Sequence, residues 1–525
     1  MRTHSTFRQS IQDSQGFQYR FAAIRAGVES NVHSNHTTWE RLALLKIREK
    51  SWLHMEVDFQ KSIPNVKFPS GIYDLTGGIY FRGDLSRRSI HYCPLPSKST
   101  DPISWRRIRV DRALVDIGVS VYEHNLIAIL TYSPHPTIAR KNIIEIVLLE
   151  LSTGKPHPMA KKPVLFIGET SASKPAILLE VVGEYLVLVM TRESRELNAP
   201  STLRVYEWIT GTLNMDIQRP NSPYHNFIFL SPTVILLPNT QLNTLDVWEI
   251  PTGAKPPPTE PFLCLALPSL SYRSTIFHFS CRCEPNLTPS GKPYSEAPFH
   301  PDPEDAIIVL TAQVDFGAYA LFVHRSALLR VCTTHQPEDE AGVSHYLPSM
   351  FTIGRIPAER VRAWDDWGPS ITHVFNTSLL SLHWVTTTDG QRAIVNHVVD
   401  EDGENEEGQH SQLLDFNPST VKRVVQAQAD GSGGFDSHEV VFYTTVTIPG
   451  IESPITSQLP YVGVDIPFQD SWLNRFKGFL LYEEGLLVLL GGNDELEEQI
   501  EVLHVGVSFG LEEMTLSLGG DIPLS

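Results

Sequence analysis

The sequence predicts a mainly β protein, an irregular β-propeller of WD-like type with a short N-terminal helical segment, and three observations lead there. Short apolar runs return in pairs along most of the chain. The second run of a pair often closes on a Thr-Gly turn. The 38 prolines and 33 glycines are scattered over 525 residues, as a fold with many turns between short strands requires. A pair of β-sandwiches made from the same strands is the alternative.

Residues 1–60 read as helical. From Trp39 to Val57 the apolar positions Leu42, Leu45, Ile47, Trp52, Leu53 and Met55 interleave with charged ones at helical spacing, and Thr37 or Thr38 can cap the start. A weaker helical stretch over residues 6–26 ends at Gly27, which can take the left-handed conformation that stops a helix. The two helices are expected to pack together.

Residues 65–525 form the β-domain. Gly77-Gly78 between two apolar runs marks a hairpin at its start. The clearest strand pairs that follow are 125–130 with 143–154, 184–190 with 203–211, and 233–237 with 244–253. Weaker ones join 306–310 to 319–323 and 486–490 to 500–504, with more expected between 374 and 445. Adjacent apolar strands suit a blade that buries both faces against its neighbours. The leading strands near 126, 185, 234, 307 and 486 keep no fixed period, so long loops are expected near 255–261 (Pro-rich), 284–304 (Pro, Ser and Gly) and 400–434 (acidic, then Gly-rich).

Composition narrows the function. With 60 acidic and 42 basic residues the net charge is −18, a field that repels phosphate backbones and anionic membranes. Nucleic acid and membrane are therefore not expected partners. Five cysteines without framework spacing, and no apolar leader, read as reduced thiols in a cytoplasmic or nuclear protein.

The chemical motifs are weak. Asp400, Asp402 and Asn405 do not fit a calcium loop, since Gly403 stands fourth and a serine stands at the twelfth position; a solvated loop is the reading. Cys281, Cys283 and His278 lack zinc spacing, and serine-elbow, Walker and dinucleotide glycine patterns are missing. No catalytic, cofactor or metal residue is assigned. Protein contact is assigned to Arg362, Trp364 and Trp367, because exposed Trp and Arg supply much interface energy; a turn packed on its own blade competes with that reading for the tryptophans. Trp105 and Arg107 join the candidates from a basic cluster with Arg106, Arg109 and Arg112, whose bland reading is a solvated strand face.

Three runs carry a resemblance: Arg41-Leu-Ala-Leu-Leu-Lys-Ile-Arg-Glu-Lys-Ser-Trp52, Ser70-Gly-Ile-Tyr-Asp-Leu-Thr-Gly-Gly78 and Ser89-Ile-His-Tyr-Cys-Pro-Leu-Pro96. They resemble the region after the F-box in F-box proteins of mushroom-forming fungi, and Phe17-Gln-Tyr-Arg-Phe-Ala-Ala-Ile-Arg-Ala-Gly27 is similar to that family's linker. The resemblance implies a substrate receptor of an SCF-type ubiquitin ligase: a non-enzymatic protein-interaction module holding a protein target, with the SCF adaptor subunit as second partner. Only the last F-box helix fits before Phe17, so the F-box is expected to be truncated or missing. The alternative function is a propeller hydrolase or lyase acting on a small molecule or sugar. A channel holding several inward carboxylates of perturbed proton affinity would favour the enzyme; a flat or apolar upper face would favour the receptor.

Overall fold

The computed structural model describes residues 14–64, 69–170, 174–191, 200–220, 223–253, 255–284, 293–295, 297–315, 317–334, 358–377, 380–381, 386–397, 411–431, 434–435, 437–491 and 498–506. Their strands form seven sheets of four or more strands, following one another along the chain as the blades of a β-propeller. In blade 1 the innermost strand Pro69–Thr76 turns back at Gly77-Gly78 into Ile79–Asp84, followed outward by Ser89–Pro94 and Arg106–Arg109. Both turn glycines have positive φ (57° and 64°), as a two-residue turn matching the strand twist demands. The innermost strands of blades 2 to 5 are Ala113–Ser120, Ala176–Val182, Ile228–Ser231 and Ile276–Arg282; the short Thr388–Asp389 and then Phe476–Tyr482 serve blades 6 and 7.

All five strand pairs expected from the sequence are adjacent antiparallel pairs, and they are the middle strands of blades 2, 3, 4, 5 and 7. Alternation explains their apolar runs. In Tyr185–Thr191, Leu186, Leu188 and Met190 pack against blade 2 while Val187 and Val189 pack against blade 4, so no position is left for a polar residue. A separate apolar cluster fills each of the seven junctions, including that between blades 7 and 1, where Leu480, Leu487 and Val502 meet Leu75, Tyr80 and Cys93. This closure decides against the sandwich pair.

The ring is closed by a strand the sequence reading missed. Val57–Ile63 leaves the second helix and becomes the outermost strand of blade 7, antiparallel to Glu498–Val505, with Ile63 opposite Ile500. The β-domain thus begins at Val57, ahead of the expected boundary at 65. Only Ile63 of this outer strand is buried, so no apolar run announced it.

The two N-terminal helices are α1 (Gln15–Ala26), stopped by Gly27 at φ 63°, and α2 (Thr38–His54), started by a reciprocal capping box in which Thr37 accepts from the Glu40 amide and Glu40 from the Thr37 amide. They pack through Tyr19, Ala23, Leu42 and Leu45, as expected. They do not stand apart from the propeller. Trp52 and Leu53 enter the cluster between blades 6 and 7, and the Arg392 guanidinium of blade 6 bridges Glu49 of α2 (3.1 Å) and Asp415 (3.2 Å). The helical hairpin sits at the lower mouth of the ring, where the innermost strands end: Val28–Ser30 pairs with Phe299–Pro301 of blade 5, and the Arg25 carbonyl accepts from Asn417 (2.8 Å).

Two expected loops are partly ordered elements. Phe299–Pro301 falls in the 284–304 stretch, and the 400–434 stretch contains the blade 6 strand Ser411–Asp415 and the helix Pro418–Ala429, both built on apolar residues placed between the charged ones. The acidic run 400–408 lies outside the described residues.

Candidate functional site

The five residues singled out for protein contact fall into two groups on different blades, which the fold does not bring together. Trp367 lies on the short helix Trp364–Ile371 that leads into the outermost strand of blade 5, Thr372–Asn376, and it is a core residue, 1% exposed, with its indole N–H donating to the Ala266 carbonyl (2.9 Å). Trp364 is half-buried and meets it edge-on at 5.1 Å, while Arg362, on a strand added to the edge of blade 4, donates to the Val331 carbonyl (3.2 Å). On blade 1 Trp105 donates to the Pro64 carbonyl (2.6 Å), and exposed Arg107 donates to Ser89 Oγ and faces Asp84 at 3.7 Å. Trp367 in particular has no surface to offer a partner.

What the fold does assemble is the axial channel. The innermost strands of all seven blades surround a cavity of about 630 Å³. Asp74, Asp116 and Glu180 stand in its wall on blades 1, 2 and 3; Glu284, Asp389 and Glu483 stand at the strand ends near its floor. Burial pushes Asp74 up to about 6, a rise opposed by the Leu75 amide donating to it. Burial likewise raises Asp116 to about 7 against the pull of the Ile117 amide, with Asp74 adding repulsion, and Glu180 to about 8 against the opposing Arg325 charge. These side chains keep part of their surface towards the cavity, so solvent there moderates the rise without reversing it. Asp389 lies well above the carboxylate range through burial and the nearby Glu284, to which it is hydrogen-bonded. Protonated, such groups donate hydrogen bonds, which a hydroxyl or carbonyl can accept.

Glu284, His300, Pro301 and Pro303, described residues of the connection within blade 5, line the floor. There His300 Nδ1 lies 2.9 Å from Glu483 Oε2 and its Nε2 2.7 Å from Ser295 Oγ. The order Ser–His–carboxylate is that of a nucleophile, a base and its orienting acid. Its direction is wrong for catalysis at the cavity, because His300 and Glu483 line the cavity and Ser295 does not; Ser295 backs onto Asn31, whose amide donates to the Ser295 carbonyl (2.8 Å). The chain of bonds fastens the floor to blade 7 and to the N-terminal segment.

At the upper mouth the link between blades 4 and 5 exposes Tyr272 (85%) and Arg273, and Phe277 (61%) is exposed at the start of the innermost strand of blade 5; the Arg273 guanidinium lies 5.1 Å from the Tyr272 ring centre. Aromatic and arginine side chains on a rigid rim are the groups that anchor protein interfaces. Sequence reasoning passed over them because no periodicity separates an exposed Tyr or Phe in a link or at a strand's start from a buried one.

The buried thiols are not arranged for reaction. Cys283 is raised to about 12 by burial, against the opposing charge of Arg325, which donates to its sulfur (2.9 Å). Among the described residues no group of three or more His, Cys, Asp or Glu side chains could hold a metal ion, and no helix is long and apolar enough to cross a membrane.

The blades and channel define a seven-bladed β-propeller. No protein-family model matches the chain. No curated protein matches it either. Among solved structures it is similar to the WD40 domain of Toxoplasma gondii coronin (7% identity over 86% of this chain and 89% of that one, TM-score 0.39). It is also similar to the β-propeller domain of Cps50 (Swd1) from Myceliophteria thermophila (10% identity, 84% and 99%, TM-score 0.35). A luciferin-regenerating enzyme matches over 68% of this chain and 92% of its own at 8% identity, with a TM-score of 0.28.

Proposed function

We propose that the chain is a non-enzymatic protein-interaction module that holds a protein target on its upper rim, and that it acts as a receptor resembling those of SCF-type ubiquitin ligases. The observation that carries the first part is the Tyr272, Arg273 and Phe277 surface on the face opposite the N-terminal helices. A ring locked at every blade junction presents such a surface without ordering cost. The ubiquitin link rests on the family resemblance alone. Its test is a pull-down with the adaptor subunit, using this chain and a version extended upstream in its gene. Retention by either supports the link, and failure of both removes it.

The channel favours a second reading, in which a small hydroxyl-bearing molecule or sugar is bound and acted upon. Raised carboxylates in an enclosed cavity are what such an enzyme uses. This meets the condition set out above for an enzyme; we rank it second because structural clusters of buried carboxylates perturb proton affinity in the same way. Among the described residues that line the cavity there is also no serine aligned with His300.

A further inference from the structure

We propose that the outward face of α1 is a docking site for an acidic amphipathic helix of a partner protein. This goes beyond the receptor reading, since it concerns the lower mouth and needs no particular target above. Phe17 (48% exposed), Phe21 (50%) and Ile24 (67%) stand at positions i, i+4 and i+7 of a 12-residue helix, so they form one stripe. Exposed Arg20 and Arg25 flank that stripe on either side, and the packed residues Tyr19 and Ala23 lie on the opposite face. Helix α1 contains no acidic residue in a chain of net charge −18. An apolar stripe between two arginines is complementary to a helix whose apolar face is bordered by Asp or Glu.

The face is held ready for a partner. Gly27 stops the helix, the Asn417 amide donates to the Arg25 carbonyl, and Ser30 Oγ donates to the Tyr19 hydroxyl (2.7 Å), so docking would not have to order the helix first. An anionic membrane would meet the same stripe, but only two positive charges border it and the chain's net charge of −18 opposes approach to an extended anionic bilayer, whereas a single helix presents only the few charges beside the stripe.

The test uses the full chain and a fluorescent helical peptide of about 18 residues, long enough to be helical when bound, with leucines at i, i+3, i+4 and i+7 and glutamates beside them. A second peptide carries lysines in place of the glutamates. Anisotropy is expected to show saturable binding of the glutamate peptide and at least about tenfold weaker binding of the lysine peptide. Phe21→Ala should weaken the former about tenfold or more, and Arg20→Glu with Arg25→Glu should reverse the preference between the two. These residues lie on the surface, and an unchanged melting temperature verifies folding. Equal binding of both peptides, no binding of the glutamate peptide, or indifference to Phe21→Ala overturns the proposal. So does self-association abolished by Phe21→Glu, which would make a second copy the occupant, or co-sedimentation with phosphatidylserine vesicles lost on Arg20→Glu and Arg25→Glu.

Discussion

Replacing Arg392 by methionine should loosen the helical hairpin from the ring, and the structure sets the size of the effect. The guanidinium is almost entirely buried, lies 5.1 Å from the Trp52 ring centre, and bridges Glu49 and Asp415, themselves nearly buried. Burial works against its charge, but Glu49 and Asp415 more than offset this, so its pKa is raised. Methionine fills most of the volume and leaves two enclosed carboxylates without their cation. Removing one partner of a buried ion pair costs about 3–5 kcal/mol. If about 450 residues unfold together, with about 2 cal/mol/K of entropy each, that is a fall in Tm of about 3–5 °C by calorimetry or fluorescence. The triple variant Arg392→Met, Glu49→Gln, Asp415→Asn should recover most of the loss, because no charge is then stranded. At pH 5 the single variant should lose less, since burial already raises the pKa of Asp415 and protonation would relieve its stranded charge. A shift under 1 °C, or a triple variant no better than the single one, would refute this account of the junction.

Other outcomes follow from single features. Thr37→Ala removes half of the capping box and should cost about 1 kcal/mol, read by urea denaturation. Gly77→Ala places a Cβ 2.9 Å from Val121 Cβ at a positive φ and should cost about 1–2 kcal/mol or more, whereas Gly431→Ala, with open space around its Cβ, meets only the backbone strain. A chain beginning at Pro69 lacks the outer strand of blade 7, leaves Glu498–Val505 as an open edge, and should aggregate at concentrations where the full chain is monomeric by light scattering. The wall carboxylates should give stability an inverted pH dependence: their folded pKa values of about 6, 7 and 8 exceed the unfolded ones, so the native state holds more protons between about pH 4 and 8 and stability falls as pH rises through that window. Asp116→Asn with Glu180→Gln should flatten that slope.

The parts legible in the sequence were those where burial leaves no choice of residue. Middle strands such as Tyr185–Thr191 face apolar neighbours on both sides and read as unbroken apolar runs, and the Thr-Gly turns after them placed their ends. Edge and inner strands carry no such signal. Val57–Ile63 is largely exposed, and the innermost strand of blade 6 is only two residues long, so strands were expected between 374 and 445 without being paired and the spacing between 307 and 486 looked irregular. The channel was illegible for a different reason. Asp74, Asp116, Glu180, Glu284, Asp389 and Glu483 are scattered along the chain, and only ring closure brings them to one axis. Trp367 was a candidate because Trp and Arg supply much interface energy, but of the two readings weighed for it the structure fits the packed one, its indole N–H satisfying a buried carbonyl.

The central claim is that this propeller works through its upper rim, not through its channel. Proximity labelling in cells with three versions of the chain tests it: wild type, the rim variant Tyr272→Ala, Arg273→Glu, Phe277→Ala, and the channel variant Asp116→Asn, Glu180→Gln. The account predicts that a set of proteins enriched by the wild type is lost with the rim variant and kept with the channel variant. Enrichment kept by the rim variant and lost with the channel variant would contradict it.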